Sequence, residues 1–205
     1  MAAVDRVVAW VLSGGLRLLT GAHARWTGCA PAPVQRIYCA NHTSHLDFLL
    51  LWTALPAALR ARTRPVAAAD YWSSGPVRRY LIHRVFRGVL IDRNGASPRP
   101  LDPLFAALAA GDSLIFFPEG TRGPGEGLLP LKSGIYHVAR EFPEIDLVPV
   151  WIDNSYRVMP KGMLFPVPLL CSMTFGAPVR LRDGETKDAF LDRLRQALED
   201  LQSSD

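Results

Sequence analysis

Residues 37–55, IYCANHTSHLDFLLLWTAL, predict a strand–loop–helix unit, and this unit indicates the class of fold. Residues 37–40 form an apolar strand, residues 41–47 a polar loop, and residues 48–55 a helix that Pro56 ends. Strand-like and helix-like segments go on alternating along the chain, which favours an α/β fold. We therefore expect a single domain with a mostly parallel central sheet flanked by helices.

The rest of the chain supplies the other elements of this fold. Further strands are predicted at residues 66–69, 88–92, 113–117, 147–151 and 170–175. Further helices are predicted at residues 103–110, 132–141 and about 187–201, and Asp102 is expected to cap the first of them, with Pro103 at its first position. In a parallel sheet, functional residues lie in loops beyond the carboxyl ends of the strands. The loops after Ala40 and Phe117 are therefore the candidate sites.

Composition limits the classes of function. The chain has 205 residues, 49% of them apolar, which is enough for one buried core. Its net charge of +4 suits an anionic membrane or a phosphate, and no aromatic-plus-basic repeat or zinc spacing indicates nucleic acid. The three cysteines form neither a disulfide framework nor a metal site, and they fit a reducing compartment.

The N-terminal residues 1–28 are distinguished from a main domain at residues 29–205. Residues 7–20, VVAWVLSGGLRLLT, are apolar but too short to span a bilayer, and they contain Arg17. An amphipathic helix lying in the membrane interface is one interpretation. A helix packed on the domain's own core is an equally good one.

His42 and Asp47, in the first loop, are the candidate catalytic pair. A histidine suits the removal of a hydroxyl proton, and a carboxylate on its other ring nitrogen fixes the tautomer. Five residues of regular helix would leave the two side chains roughly 140° apart. The pair therefore requires His42 in the loop and Asp47 in or near the first helical turn.

Three other interpretations of this loop stay open. Asp47 can simply cap a helix beside an ordinary loop histidine. His45 has no carboxylate five residues after it, so it is a residue that lines the site or supports the structure. Cys39 near a histidine could form an acyl-enzyme, although a cysteine in an apolar strand is more often inert.

The second motif is Phe117-Pro118-Glu119-Gly120-Thr121-Arg122, which follows a predicted strand. Glycine permits an unusual backbone angle or the close approach of a ligand. Arg122 can bind a phosphate through two parallel hydrogen bonds. Glu119 could orient Arg122 or contact a glycerol hydroxyl. The alternative is a tight surface turn with an exposed ion pair.

With both motifs in this order, the chain resembles the glycerolipid acyltransferases, specifically the 1-acylglycerol-3-phosphate (lysophosphatidate) acyltransferases. Two weaker blocks of the family pattern match residues 88–93, GVLIDR, and residues 148–150, VPV. The resemblance covers roughly residues 37–177. It implies that His42 is the general base and Asp47 its partner. It also implies that an acceptor pocket is shaped by Arg93, Glu119, Gly120, Thr121 and Arg122. Lys132, at a predicted helix start, could add a cation to that pocket.

The resemblance implies acyl transfer to the free hydroxyl of a lysophospholipid, with 1-acylglycerol 3-phosphate as the expected acceptor. The donor would be acyl-CoA or acyl carrier protein, without a metal, another cofactor or a covalent intermediate. The expected location is the cytoplasmic face of the cell membrane, as a peripheral or monotopic protein. Another lysolipid or glycerol 3-phosphate as acceptor, or hydrolysis of a lysophospholipid, are the alternatives.

Overall fold

The seven strands form one sheet in the order β1-β7-β6-β2-β5-β3-β4. The computed structural model describes residues 2–92, 98–125, 127–154 and 170–202. Neighbouring strands are parallel except for β6 and β7, which are antiparallel. The strands are β1 (His23–Trp26), β2 (Arg36–Ala40), β3 (Thr63–Ala68), β4 (Val89–Ile91), β5 (Ser113–Phe116), β6 (Asp146–Ile152) and β7 (Ser172–Phe175). The predicted α/β fold with a mostly parallel sheet is therefore confirmed.

Helices cover both faces of the sheet. They are α1 (Ala3–Thr20), α2 (Asp47–Ala54), α3 (Ala57–Arg60), α4 (Ala69–Trp72), α5 (Pro76–Tyr80), a π-helix (Leu81–Val85), α6 (Asp102–Ala109), α7 (Gly134–Glu141) and α8 (Lys187–Gln202). The longer predicted helices are all present. Asp102 is the first residue of α6 instead of its cap, which is Leu101, so that prediction was wrong by one position.

The core lies in two layers because successive side chains of a strand point to opposite faces. On β2, Tyr38 and Ala40 join a layer that packs under α1, α2 and the π-helix. Ile37 and Cys39 join the other layer, which packs under α6, α7 and α8. All four are at most 1% exposed. Burial on both faces explains why β2 is a continuous apolar run.

Helix α1 packs on the first layer through one face. Leu16 is buried, and the Arg17 guanidinium donates a 2.7 Å hydrogen bond to the Thr53 carbonyl at the end of α2. Gly21, with a φ of +54°, ends the helix, and its N–H bonds to the Arg17 carbonyl. The segment 1–28 also supplies β1, which is an edge strand of the main sheet.

The other face of α1 carries apolar side chains in solvent. They are Val4, Val7, Trp10, Val11, Leu18 and Leu19, and the exposed fraction reaches 74% for Trp10 and 88% for Leu18. The helix thus packs on the core, as one of the two interpretations predicted, and presents an apolar surface on its other face. Its contact with a membrane stays a prediction. No helix in the described parts of the chain has the length and apolar character needed to cross a bilayer.

Candidate active site

The two motif loops leave the same edge of the sheet side by side. Strands β2 and β5 are parallel neighbours, with Cys39 opposite Phe116 in the register. The first loop follows β2 directly, and the second begins at Phe117, directly after β5. Parallel pairing therefore brings two stretches more than seventy residues apart in sequence into contact.

His42 and Asp47 are in direct contact. His42 Nδ1 lies 2.8 Å from Asp47 Oδ2, with His42 in the loop and Asp47 as the first residue of α2. The backbone N–H groups of Thr43 and Ser44 donate to the same Oδ2, at 2.6 and 2.8 Å. Asp47 is fully buried, whereas the His42 side chain is 23% exposed. With a proton on Nδ1, Nε2 is the free base of the imidazole.

Two residues that the sequence did not single out orient this loop. The Phe117 ring stacks on the His42 imidazole, with 4.3 Å between ring centroids and 24° between planes. The Asn41 side chain pairs with the backbone of Ile152 at the end of β6, accepting at 2.7 Å and donating at 3.1 Å. Both residues stand inside the quoted motifs: Asn41 directly precedes His42, and Phe117 opens the second motif.

Glu119 holds the first loop in place by accepting hydrogen bonds from backbone N–H groups. Its Oε1 accepts a 2.6 Å hydrogen bond from the His42 N–H, and its Oε2 accepts a 2.9 Å bond from the Leu129 N–H. The residue is 1% exposed. Burial raises the pKa of the Glu119 carboxyl, against the opposing effect of these two bonds and of His42. The carboxylate ties two loops together and does not contact Arg122. Its expected contact with a glycerol hydroxyl stays a prediction.

Gly120 allows the second loop to turn beneath Lys132. Its φ is +71°, and a Cβ there would lie 3.3 Å from Lys132 Cγ. The Lys132 N–H donates a 2.7 Å bond to the Pro118 carbonyl, just before α7 begins. The expected position of Lys132 beside a helix start is thus present, with its side chain exposed over the motif.

Arg122 is exposed next to the His42 loop. The N–H of the following residue, Gly123, donates a 2.7 Å bond to the His42 carbonyl. Within the described ranges, the Arg122 guanidinium has no ion pair or hydrogen bond, so it is available to a ligand. Thr121 is exposed beside it. Arg93 lies outside the described residues. The acceptor-binding roles of these residues stay predictions.

Cys39 is a poor candidate for a nucleophile. It is fully buried in β2, and burial raises the pKa of its thiol far above the usual range. Its side chain joins the layer opposite to that of Tyr38 and Ala40. A thiol in this environment stays protonated and out of reach of a substrate. In the described part of the chain, no three His, Cys, Asp or Glu side chains gather as metal ligands.

Comparison with known proteins identifies the family of the chain. The profile of the family described as Acyltransferase matches residues 29–153, which include both motif loops. The chain belongs to the acyltransferase family. A 1-acyl-sn-glycerol-3-phosphate acyltransferase of Cocos nucifera is 24% identical over 184 residues, which cover 88% of this chain and 54% of that protein. One from Salmonella typhimurium is 28% identical over 130 residues, covering 58% and 47%.

A solved structure extends the comparison to the fold. The 1-acyl-sn-glycerophosphate (LPA) acyltransferase PlsC from Thermotoga maritima superposes with a TM-score of 0.73. The match covers 98% of this chain and 80% of that one, at 20% identity, so it establishes a shared fold. The chain spans about half of the length of the curated relatives that it matches.

Proposed function

We propose that this chain transfers a fatty acyl group from acyl-CoA or acyl carrier protein to the hydroxyl of 1-acylglycerol 3-phosphate, giving phosphatidate. The contact between His42 and Asp47, at the sheet edge where Arg122 also lies, is the observation that carries the proposal. Membership of the acyltransferase family and the names of the relatives support it. The acyl donor is a co-substrate, and the chemistry uses no metal and no further cofactor.

The reaction is a direct transfer between two bound substrates. His42 Nε2 takes the proton of the acceptor hydroxyl while that oxygen attacks the thioester carbonyl carbon. Asp47 stabilises the imidazolium that forms, through the bond to Nδ1. The carbon–sulfur bond then breaks, and the imidazolium gives its proton to the departing thiolate. An ester and a free thiol result, and His42 returns to its neutral form.

The test is mass spectrometry of the products from mixed acyl donors and a panel of lysolipids, with the His42→Ala variant. We expect wild-type protein to form phosphatidate and His42→Ala to lose at least about a hundredfold in rate. His137→Ala, an exposed histidine on α7, is the matched control and should be fully active. Near-normal turnover by folded His42→Ala would contradict the mechanism. Free fatty acid in place of phosphatidate would indicate a hydrolase instead.

A separate variant tests the covalent alternative. Cys39→Ala should keep its turnover, because Cys39 is buried in the core layer on the face of the sheet opposite to α2. If Cys39→Ala were inactive while His42→Ala stayed active, the reaction would proceed through an acyl-thioenzyme.

We also propose that the protein works at the cytoplasmic face of the cell membrane, held there by α1. The exposed apolar side chains of α1 offer a surface for the lipid interface. Cys29, Cys39 and Cys171 are free thiols, which is consistent with a reducing compartment. The lipid substrate itself requires access to a bilayer.

Vesicle binding tests this attachment. The double variant Trp10→Ser and Leu18→Ser should bind anionic vesicles at least about tenfold more weakly in a sedimentation assay, because two large apolar groups are lost. Val34→Ser, at an exposed apolar residue outside α1, should bind like wild type. Unchanged binding by the double variant would place the membrane contact elsewhere.

A further inference from the structure

A stack of three polar side chains lies beside the His42 loop. His45, three residues after His42, stacks on Tyr71 with 5.5 Å between centroids and 24° between planes. The guanidinium carbon of Arg78 lies 4.3 Å from the centroid of the Tyr71 ring. His45, Tyr71 and Arg78 are all exposed. The mechanism above uses none of them.

Arg78 is fixed in place without being neutralised. Its Nη1 donates a 2.8 Å bond to Ser74 Oγ, which in turn donates a 2.8 Å bond to the Tyr71 carbonyl. The aromatic face beneath the guanidinium supplies a cation–π contact. No carboxylate in the described ranges pairs with Arg78. A guanidinium that is oriented, exposed and still charged is well prepared to bind an anion.

Arg122 approaches the same loop from the second motif. The bond between the Gly123 N–H and the His42 carbonyl places Arg122 next to the loop that carries His45. Partial shielding from water by neighbouring atoms, and then the charges of Arg122, His42 and Arg78, lower the pKa of His45, against the opposing field of Asp47. The imidazole of His45 is therefore neutral near pH 7, and the two guanidinium groups carry the positive charge.

We propose that Arg78 and Arg122 together bind the phosphate monoester of the acceptor, with Tyr71 and His45 as positioning residues for Arg78. The inference rests on the proposed function. A phosphate monoester carries between one and two negative charges at neutral pH, which two guanidinium groups match. The phosphodiester of a larger lysolipid carries one negative charge, and its head group covers one side of the phosphate. Arg78 thus selects 1-acylglycerol 3-phosphate over lysophospholipids with larger head groups.

The experiment is steady-state kinetics of the full chain with the Arg78→Ala variant. We expect the KM for 1-acylglycerol 3-phosphate to rise about tenfold, as for the loss of one charge-assisted contact, with kcat changed less than about twofold. Arg78→Gln, which can keep a hydrogen bond to Ser74, should show the same rise because it lacks the charge. The KM for the acyl donor should not change.

Arg79→Ala is the matched control. Arg79 is the next residue on α5, is also exposed, and its side chain has no ion pair, hydrogen bond or ring contact in the part of the chain that the structure describes. It carries the same charge on the same helix. Arg79→Ala should therefore keep wild-type KM values for both substrates.

Tyr71 provides a test of positioning that leaves the charge in place. Tyr71→Ala should raise the acceptor KM severalfold, because Arg78 loses the ring on which it rests, while kcat is kept. Tyr71→Phe retains the ring and should restore the KM. A purely structural role of Tyr71 would instead lower the melting temperature without moving KM.

The outcomes separate this inference from the proposed function. If wild-type protein formed no phosphatidate, the proposed function itself would fail. If wild-type protein were active and Arg78→Ala kept its acceptor KM, only the role of Arg78 would be refuted. A rise in the KM for the donor alone would assign Arg78 to a phosphate of the donor and overturn the inference.

Discussion

Asp47 supports His42 in two ways that one substitution can separate. Its Oδ2 holds the imidazole proton on Nδ1 and also anchors the loop through the N–H groups of Thr43 and Ser44. In Asp47→Asn, the amide oxygen can replace Oδ2, and the NH2 group can occupy the place of Oδ1, which has no partner among the described residues. The loop can therefore persist while the negative charge is lost.

We expect Asp47→Asn to lower kcat at least about a hundredfold, because the imidazolium is no longer stabilised by a carboxylate. The melting temperature should change little. Asp47→Ala removes the loop anchor as well, so it should lower both kcat and the melting temperature. A fully active Asp47→Asn variant would mean that the charge of Asp47 is not used in catalysis.

The Glu119→Gln variant tests whether the two hydrogen bonds of Glu119 hold the His42 loop in place. An amide has one acceptor oxygen, so its NH2 group would face the N–H of His42 or of Leu129. We expect a loss of about 1.5–3 kcal/mol in the free energy of unfolding, measured with urea, and a lower kcat/KM as the His42 loop shifts. Glu141→Gln, at an exposed position on α7, should change stability by less than about 0.5 kcal/mol. Equal free energies of unfolding for both variants would refute the claim that Glu119 stabilises the His42 loop.

The residues of the site differ in how far sequence could predict them. The contact between His42 and Asp47 spans five positions, and a strand–loop–helix unit sets it locally. Glu119 lies 77 positions from His42, so its bond depends on which strands are neighbours. The motif marked Glu119 as important without giving its partner, and the sequence hypothesis of a contact with Arg122 followed from proximity along the chain alone.

Among the helices, α1 is expected to pack on the rest of the domain with a stability that depends on pH. Asp5, 2% exposed, accepts bonds from the Ala2 N–H and the Tyr80 hydroxyl, and it pairs with Arg84 at 3.4 Å. Burial raises the pKa of Asp5, but these bonds and the charge of Arg84 outweigh that effect and lower it. A carboxyl with a lowered pKa stabilises the folded state above its unfolded pKa.

The stabilisation by Asp5 should thus be complete above about pH 4 and be lost as the pH falls through its lower folded pKa. Urea unfolding from pH 2 to pH 6 measures this dependence. Asp5→Asn should flatten it, and Tyr80→Phe should flatten it in part, because one of the bonds to Asp5 is lost. Identical pH profiles for Asp5→Asn and wild type would contradict this account of the helix docking.

The elements themselves were predictable where a pattern repeats over enough residues. Helix α8 shows a helical apolar period over sixteen residues and was placed within one residue. Helices α3, α4 and α5 have four or five residues each, which is too short for a period to emerge. Strand β1 alternates only between exposed and half-buried positions, so it lacked the apolar run by which the other strands were found.

At the scale of the whole molecule, the sheet edge leaves no room for a side chain at Gly28. A Cβ there would lie 2.0 Å from the backbone nitrogen of Ala177, just after β7. We expect Gly28→Ala to separate β1 from β7 and lower the melting temperature by several degrees. Gly14→Ala, in the middle of α1 with open space around it, should instead stabilise the protein by about 0.5–1 kcal/mol. If Gly28→Ala kept the wild-type melting temperature, the close approach of Gly28 to the backbone of Ala177 would be contradicted.

Sequence patterns alone predicted the class of fold, the strand–loop–helix unit and the contact between His42 and Asp47. These follow from apolar periodicity, from Pro and Gly positions and from contacts within a few residues, which chain geometry fixes. The strand order, in contrast, could not be predicted and is known from the three-dimensional fold. The buried strands are mostly apolar and resemble one another, so nothing local shows that β2 lies between β5 and β6. That order stacks Phe117 on His42, braces the loop with Glu119, and pairs Asn41 with Ile152.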